Sequence, residues 1–197
     1  MKNLNLEYCS HGSEEIALIF RSLKMNSTVT SLNLSNNRFG DRGTNMISKL
    51  LEINSTITSL YLKGNWISDA GANMISQSLQ KNTTLTLIDL SYNNNIGVEG
   101  TKRILESLEQ NTTLTSLDLS CNNIEYNRIK LISKCLEVNS TICSLYLSWN
   151  LIGIEETKLI SKSLQINTTL SLLDLSSNMM GVEGAKMISQ SLQINST

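Results

Sequence analysis

Few side chains in this chain can do chemistry, and they are regularly placed. Asp89, Asp118 and Asp174 recur at related positions, and five of the seven Tyr and Trp residues, Tyr8, Tyr61, Tyr92, Tyr146 and Trp149, fall beside them in the same rhythm. Carboxylates in adjacent repeat units would stand about 5 Å apart at the backbone, close enough for acid/base work. An open sheet, however, offers no pocket to raise either pKa, so the expectation for Asp89 and Asp118 is a solvated acidic patch. Aromatic residues with a polar handle are enriched in binding hot spots, and they point to recognition. The competing explanation is that Tyr and Trp simply favour strands.

The remaining inventory argues against an enzyme. Cys9, Cys121, Cys135 and Cys143 have neither paired nor metal-type spacing, and His11 is the single histidine. No zinc set, nucleophile with base, or phosphate loop can be assembled from them. We expect no cofactor, no metal, and reduced thiols in a cytoplasmic compartment. Net charge is -1 and 40% of residues are apolar, so nucleic acid is disfavoured as a partner. No apolar run reaches the roughly 18 residues that a membrane span needs.

The elements that must position these residues come from a repeat. LxL steps begin at Leu4, Leu32, Leu60, Ile88, Leu117, Leu145 and Leu173, and each is followed by Asn or Cys: Cys9, Asn37, Asn65, Asn93, Asn122, Asn150 and Asn178. The units are 1–28, 29–56, 57–84, 85–113, 114–141, 142–169 and 170–197. Thr58-Ser59-Leu60-Tyr61-Leu62 alternates as a strand does, whereas Met74, Ile75 and Leu79 form one helical stripe. A unit is one strand plus one helix, unable to bury its own stripe, so neighbours must stack. The asparagines, one per strand end, are expected to satisfy buried backbone as a ladder. Asn54-Ser55-Thr56 and its counterparts resemble glycosylation acceptors, but they recur between each helix and the next strand. There Asn is expected to take the left-handed conformation that ends a helix.

The pattern LxxLxLxx(N/C), with phrases such as NTTLTSLDLSCNNI at Asn111 to Ile124, resembles the leucine-rich repeat family. The 28-residue period is similar to its ribonuclease-inhibitor-like class and to the repeats of NOD-like receptors. The resemblance implies a single α/β domain: a right-handed solenoid curved into an arc, with seven parallel strands on the concave face and helices on the convex face, working as a protein-binding surface. Strand spacing of about 4.8 Å against helix spacing of about 8 to 10 Å turns each unit by about 20 to 30°.

The candidate partner-binding set is the free concave positions Tyr61, Lys63, Asp89, Tyr92, Asp118, Tyr146, Trp149 and Asp174, whose carboxylates favour a basic protein partner. Other roles compete with this one. Neither end carries a distinct polar cap, which suggests a ligand-sensing or autoinhibitory segment of a larger receptor-like or effector protein. The class resemblance suggests an enzyme inhibitor. On the convex face Lys102, Lys130, Lys134, Lys158, Lys162 and Lys186 form a stripe, expected to be a solvated face with Glu99, Glu155 and Glu183 pairing to the lysines three residues on. Asn93-Asn94-Asn95 lengthens one turn. In the fifth unit, Glu125-Tyr126-Asn127-Arg128 replaces glycines, so a different turn conformation is expected there.

Overall fold

The computed structural model describes residues 2–9 and 12–195; His11 lies outside the described residues. Seven short strands alternate with seven helices: β1 Asn3–Asn5, α1 Ser13–Leu23, β2 Ser31–Asn33, α2 Gly40–Leu51, β3 Ser59–Tyr61, α3 Asp69–Leu79, β4 Leu87–Asp89, α4 Val98–Ser107, β5 Ser116–Asp118, α5 Tyr126–Val138, β6 Ser144–Tyr146, α6 Ile154–Leu164, β7 Leu172–Asp174 and α7 Gly181–Ile194. The strands pair in parallel in chain order, giving an open sheet with β1 and β7 at its edges. The register is one unit to the next, Leu32 against Leu60 and Leu60 against Ile88.

Leucines of the strands and one stripe of each helix meet between the two layers. Leu32, Leu34, Leu60, Leu62, Ile75, Leu79, Ile88 and Leu90 are all fully buried. In the first and last units the same positions, Leu4, Leu6, Leu173 and Leu175, are only partly covered.

Two asparagine ladders stitch the units together. Asn93 illustrates the first: its Nδ2 donates to the carbonyls of Leu62, Leu90 and Ser91 at 3.0 to 3.1 Å, and its Oδ1 accepts from the backbone N–H of Asn65 at 3.0 Å and of Ile67 at 3.1 Å. Cys9 heads this ladder. Its own N–H donates to Asn37 Oδ1, and among the described residues no backbone N–H needs an acceptor at its side chain. The second ladder is the Asn-Ser/Thr-Thr triplet. Asn54 Nδ2 donates to the Leu23 and Asn26 carbonyls while its Oδ1 accepts from Thr56 and Ile57 N–H. These asparagines do not take the expected left-handed conformation: Asn139 and Asn195 are extended, at φ -77 and -82. The local turn is made by the side-chain oxygen instead.

Helices α2, α3 and α4 are joined by a third device. Asp41 Oδ1 accepts from Ser68 N–H at 2.9 Å, at the start of α3; Asp69 Oδ1 accepts from Gly97 and Gly100 N–H at 2.7 and 2.8 Å, at the start of α4. The glycine in each first turn makes room for this: a methyl at Gly100 would lie 2.5 Å from Asp69 Oδ1 and 2.9 Å from Ala72 Cβ. In the fourth unit Val98 occupies the aspartate's place, and in the fifth Arg128 occupies the glycine's.

Against Gly181 and Gly40, which hold φ 60 at the corresponding position, the turn of the fifth unit differs as expected, while it matches those of the fourth and sixth units. The residue before α5, Glu125, is extended at φ -119, ψ -175, as are Gly97 at φ -90 and Gly153 at φ -97 before α4 and α6. Positive φ belongs to Gly40 and Gly181 among these positions; at Gly97 and Gly153 the chain is extended, and what Gly100 supplies is space. Arg128 turns inward, is buried, and donates to the carbonyls of Ile96 and Asn122. The extra residue in Asn93-Asn94-Asn95 is absorbed by a local turn in which Ile96 N–H donates to the Asn93 carbonyl at 2.9 Å. At other units the equivalent N–H reaches the next asparagine, as Ile124 does with Asn150.

Candidate functional site

The middle residues of the strands form a continuous row across the sheet: Asn33 against Tyr61, Tyr61 against Asp89, Asp89 against Asp118, Asp118 against Tyr146 and Tyr146 against Asp174. All are half-buried. The carboxylates have a structural duty that the sequence did not reveal. Asp89, Asp118 and Asp174 each accept, through Oδ1, the N–H two residues on, from Ser91 at 2.8 Å, Ser120 at 2.8 Å and Ser176 at 2.9 Å. Asn5 and Asn33 do the same in the first two units, at 3.0 Å each. Five of the seven middle residues thus close their strand through an Asn or Asp side chain, Tyr61 and Tyr146 being the exceptions, and one oxygen of each aspartate is already engaged.

Environment separates the carboxylates. Burial pushes the Asp89 carboxyl above its ordinary range, with the Asp118 charge adding to the push, against the Ser91 hydrogen bonds and the nearby Lys63 ammonium. Asp174, more open, is pulled below it by the hydrogen bonds from Ser176. The expectation that an open sheet offers nothing to raise a carboxyl fails at Asp89, because burial there disfavours the charged form.

The second column is not strand at all. Tyr8, Asn36, Gly64, Tyr92, Cys121, Trp149 and Ser177 all have positive φ, between 53 and 65°. They form the left-handed corner where each strand turns away, with the corner N–H paired to the neighbouring unit, as Tyr92 N–H is to the Ser120 carbonyl at 3.0 Å. Tyr8 is 75% exposed, Trp149 68% and Tyr92 50%. Lys63 Nζ sits 4.6 Å from the Tyr92 ring centre, and a hydrogen bond with Cys121 pushes the Tyr92 phenol upward. Tyr61, Asp89, Asp118, Tyr146 and Asp174 share the strand row, Tyr92 and Trp149 stand in the corner column beside it, and Lys63 lies against Tyr92. Further along the rim the Arg38 guanidinium lies 5.3 Å from the Trp66 ring, both residues in left-handed backbone. Arg38 escaped sequence reasoning, since nothing in the spacing sets it apart.

On the convex face two of the three expected glutamate–lysine pairs form, Glu155–Lys158 at 3.9 Å and Glu183–Lys186 at 3.5 Å. Glu99 instead takes Arg103 at 2.8 Å, and Lys102 turns to Glu106 at 3.7 Å. All four cysteines are free, and among the described residues no cluster suits a metal ion and no helix is long and apolar enough to cross a membrane.

A parallel sheet of one strand per unit, a helix per unit and an internal asparagine ladder define an α/β repeat solenoid. A family model described as Leucine Rich repeat matches residues 26–48, 54–76, 81–105, 110–127 and 167–189, more than half of the chain, and the chain belongs to the leucine-rich repeat family. No curated protein matches it. Solved structures share the fold. Leiomodin-1 actin-binding site 2 is 28% identical with a TM-score of 0.61, over 68% of this chain and 78% of that one. The leucine-rich repeat-containing protein LegL7 from Legionella pneumophila is 22% identical with a TM-score of 0.60, over 99% and 72%. The tropomodulin C-terminal domain of Caenorhabditis elegans is 14% identical with a TM-score of 0.59, over 70% and 83%.

Proposed function

We propose that this chain is an intracellular recognition module that holds a protein partner along the strand row and the left-handed corner column, through Tyr61, Lys63, Asp89, Tyr92, Asp118, Tyr146, Trp149 and Asp174. The observation that carries the reading is the conformation of the corner. A left-handed backbone disfavours a side chain with a Cβ by about 1–2 kcal/mol, and glycine or asparagine is its natural occupant. Tyr8, Tyr92 and Trp149 nevertheless stand there, half or more exposed. Strand preference does not account for aromatics outside the strand. Locally unfavourable residues that contribute little to the core suit a binding role.

Two further observations support it. The leiomodin-1 segment, above a quarter identical, is an actin-binding site, which makes actin the first partner to try. The acidic row favours basic groups on the partner, moderated by the engaged oxygen of each aspartate. The 28-residue period agrees with a ribonuclease-inhibitor-like class, and four unpaired thiols agree with a reducing compartment. The reading is tested by pull-down with purified actin and then from lysate, comparing the parent with a Tyr92→Gly, Trp149→Gly double variant. Glycine preserves the corner, so the fold is kept while the anchors go. Loss of the partner is expected; a variant retaining the same proteins in the same amounts would refute the role of the corner.

A further inference from the structure

The junction between α4 and α5 holds a cleft of about 540 Å³, within the size range of small-ligand sites. Its origin is the pair of departures described above. No aspartate of the fourth unit reaches forward to cap α5, and Arg128 replaces the glycine that lets helices approach, so α5 stands off α4. Leu105, Leu108, Leu131 and Val138 form apolar walls, with the Cys135 thiol among them.

The same corner elsewhere shows what such a place accepts. At the α2–α3 junction Lys81 Nζ pairs with Glu52 Oε1 at 3.0 Å, a lysine from one unit meeting a glutamate of the unit before. In the repeat, Glu109 occupies the place of Glu52 and Val138 the place of Lys81. Glu109 therefore keeps the acid of the pair and lacks the cation. Among the described residues it has no ion pair; Lys134, on the opposite wall, does not reach it, and Lys102 is held by Glu106. Its field is nonetheless felt within the cleft, where burial first and Glu109 second push the Cys135 thiol to about 11. The cleft also opens at the C-terminal ends of α4 and α5, where backbone carbonyls favour positive charge.

We propose that the α4–α5 cleft binds a primary ammonium on an aliphatic stem, with Glu109 as counter-ion and the leucine walls around the stem. The chemistry is that of a lysine side chain presented by a partner or of a free alkylamine. The site lies on the helical face and is independent of the corner aromatics.

The test is titration of the whole chain with hexan-1-amine, followed by amide NMR shifts. Saturable shifts at Glu109, Val138 and Asn139 are expected, with hexan-1-ol at least tenfold weaker because it lacks the charge-assisted contact. Glu109→Gln should weaken the amine by about tenfold while leaving the alcohol unchanged. Val138→Lys, which rebuilds the Lys81–Glu52 corner within the protein, should abolish amine binding; both substitutions are at exposed positions and leave the fold intact. Nα-acetyl-lysine N-methylamide binding as tightly as hexan-1-amine would assign the site to a partner's lysine, and the free amine alone would assign it to a small molecule. No saturable shift with the parent chain, amine binding undiminished in Glu109→Gln, or hexanoate binding as well as hexan-1-amine would each overturn the proposal.

Discussion

Removing the Asn93 amide should be among the most damaging single changes in this chain. Asn93→Ala strips partners from five backbone groups, but they do not suffer alike. The carbonyls of Leu62, Leu90 and Ser91 each keep a second donor, respectively Asn65 Nδ2, Asn122 Nδ2 and Gly64 N–H. The N–H groups of Asn65 and Ile67 bond to nothing but Asn93 Oδ1 and are left buried and unpaired. An orphaned buried donor costs about 1–3 kcal/mol, so two cost about 4 kcal/mol at the middle of that range. For a domain of this size that is a fall in Tm of about 8–16 °C. Urea and thermal unfolding followed by circular dichroism would measure it, with Cys9→Ala as the internal contrast. Among the described residues no N–H depends on the Cys9 side chain, and its loss should stay within about 0.5 kcal/mol. An Asn93→Ala loss below about 1 kcal/mol, or one no larger than that of Cys9→Ala, would refute the idea that the ladder's acceptor side carries the stabilisation.

Other expectations concern the site and its neighbours. Trp149→Asn relieves an unfavourable corner and should be neutral or stabilising by up to about 1 kcal/mol in thermal unfolding, while partner capture falls; a clear destabilisation would mean that the indole packs usefully on the fold. Asp89→Asn should stabilise the protein at neutral pH. Its carboxyl is raised in the folded state, so ionisation above that raised value works against folding, and the advantage of the neutral amide should fade as pH falls through it toward the ordinary carboxyl range; urea midpoints of the two proteins across that window would show it. For Asp174, depressed in the fold, the sign reverses: its stabilising share is present above the ordinary carboxyl value and is lost as pH drops below it, so Asp174→Asn should be more nearly neutral in acid than at pH 7. Arg128→Ala strands the Ile96 and Asn122 carbonyls and should cost about 2 kcal/mol, read from urea midpoints.

Much of the architecture could be read in advance because the repeat writes it many times over. LxL marks the strands, the following Asn the ladder, and the stripe Ile75, Leu79 the buried side of a helix. What the letters did not disclose were conformations that several residue types can share. Tyr8, Asn36, Gly64, Cys121 and Ser177 have no common chemistry, so their common left-handed backbone was invisible, and the aromatics among them passed for strand residues. The aspartates were taken for free charges because an Asx contact to a serine N–H leaves no mark distinct from any Asp-x-Ser. In the fifth unit the loss of glycine changes the turn, which is extended where Gly40 and Gly181 are left-handed, and it also fills the space at the start of α5, which the letters alone do not disclose. The Glu109 corner is a relation between units, defined by the Lys81–Glu52 pair at the corresponding place.

The buried triplet asparagines bear on how the chain is made as well as on how it stands. Asn54 and its counterparts spend their Nδ2, the atom a glycan would join, on the carbonyls of the preceding unit. Sugar and stacked repeat are therefore mutually exclusive there, and a nascent chain sent through a glycosylating compartment would face a race at each unit between transferase and neighbour. Asn26 alone escapes it among the described residues: its oxygen closes the turn onto Thr28 and Val29, and its nitrogen donates to no described carbonyl. Glycan occupancy at Asn26 against that at Asn54 would thus act as a clock for how quickly successive repeats lock together.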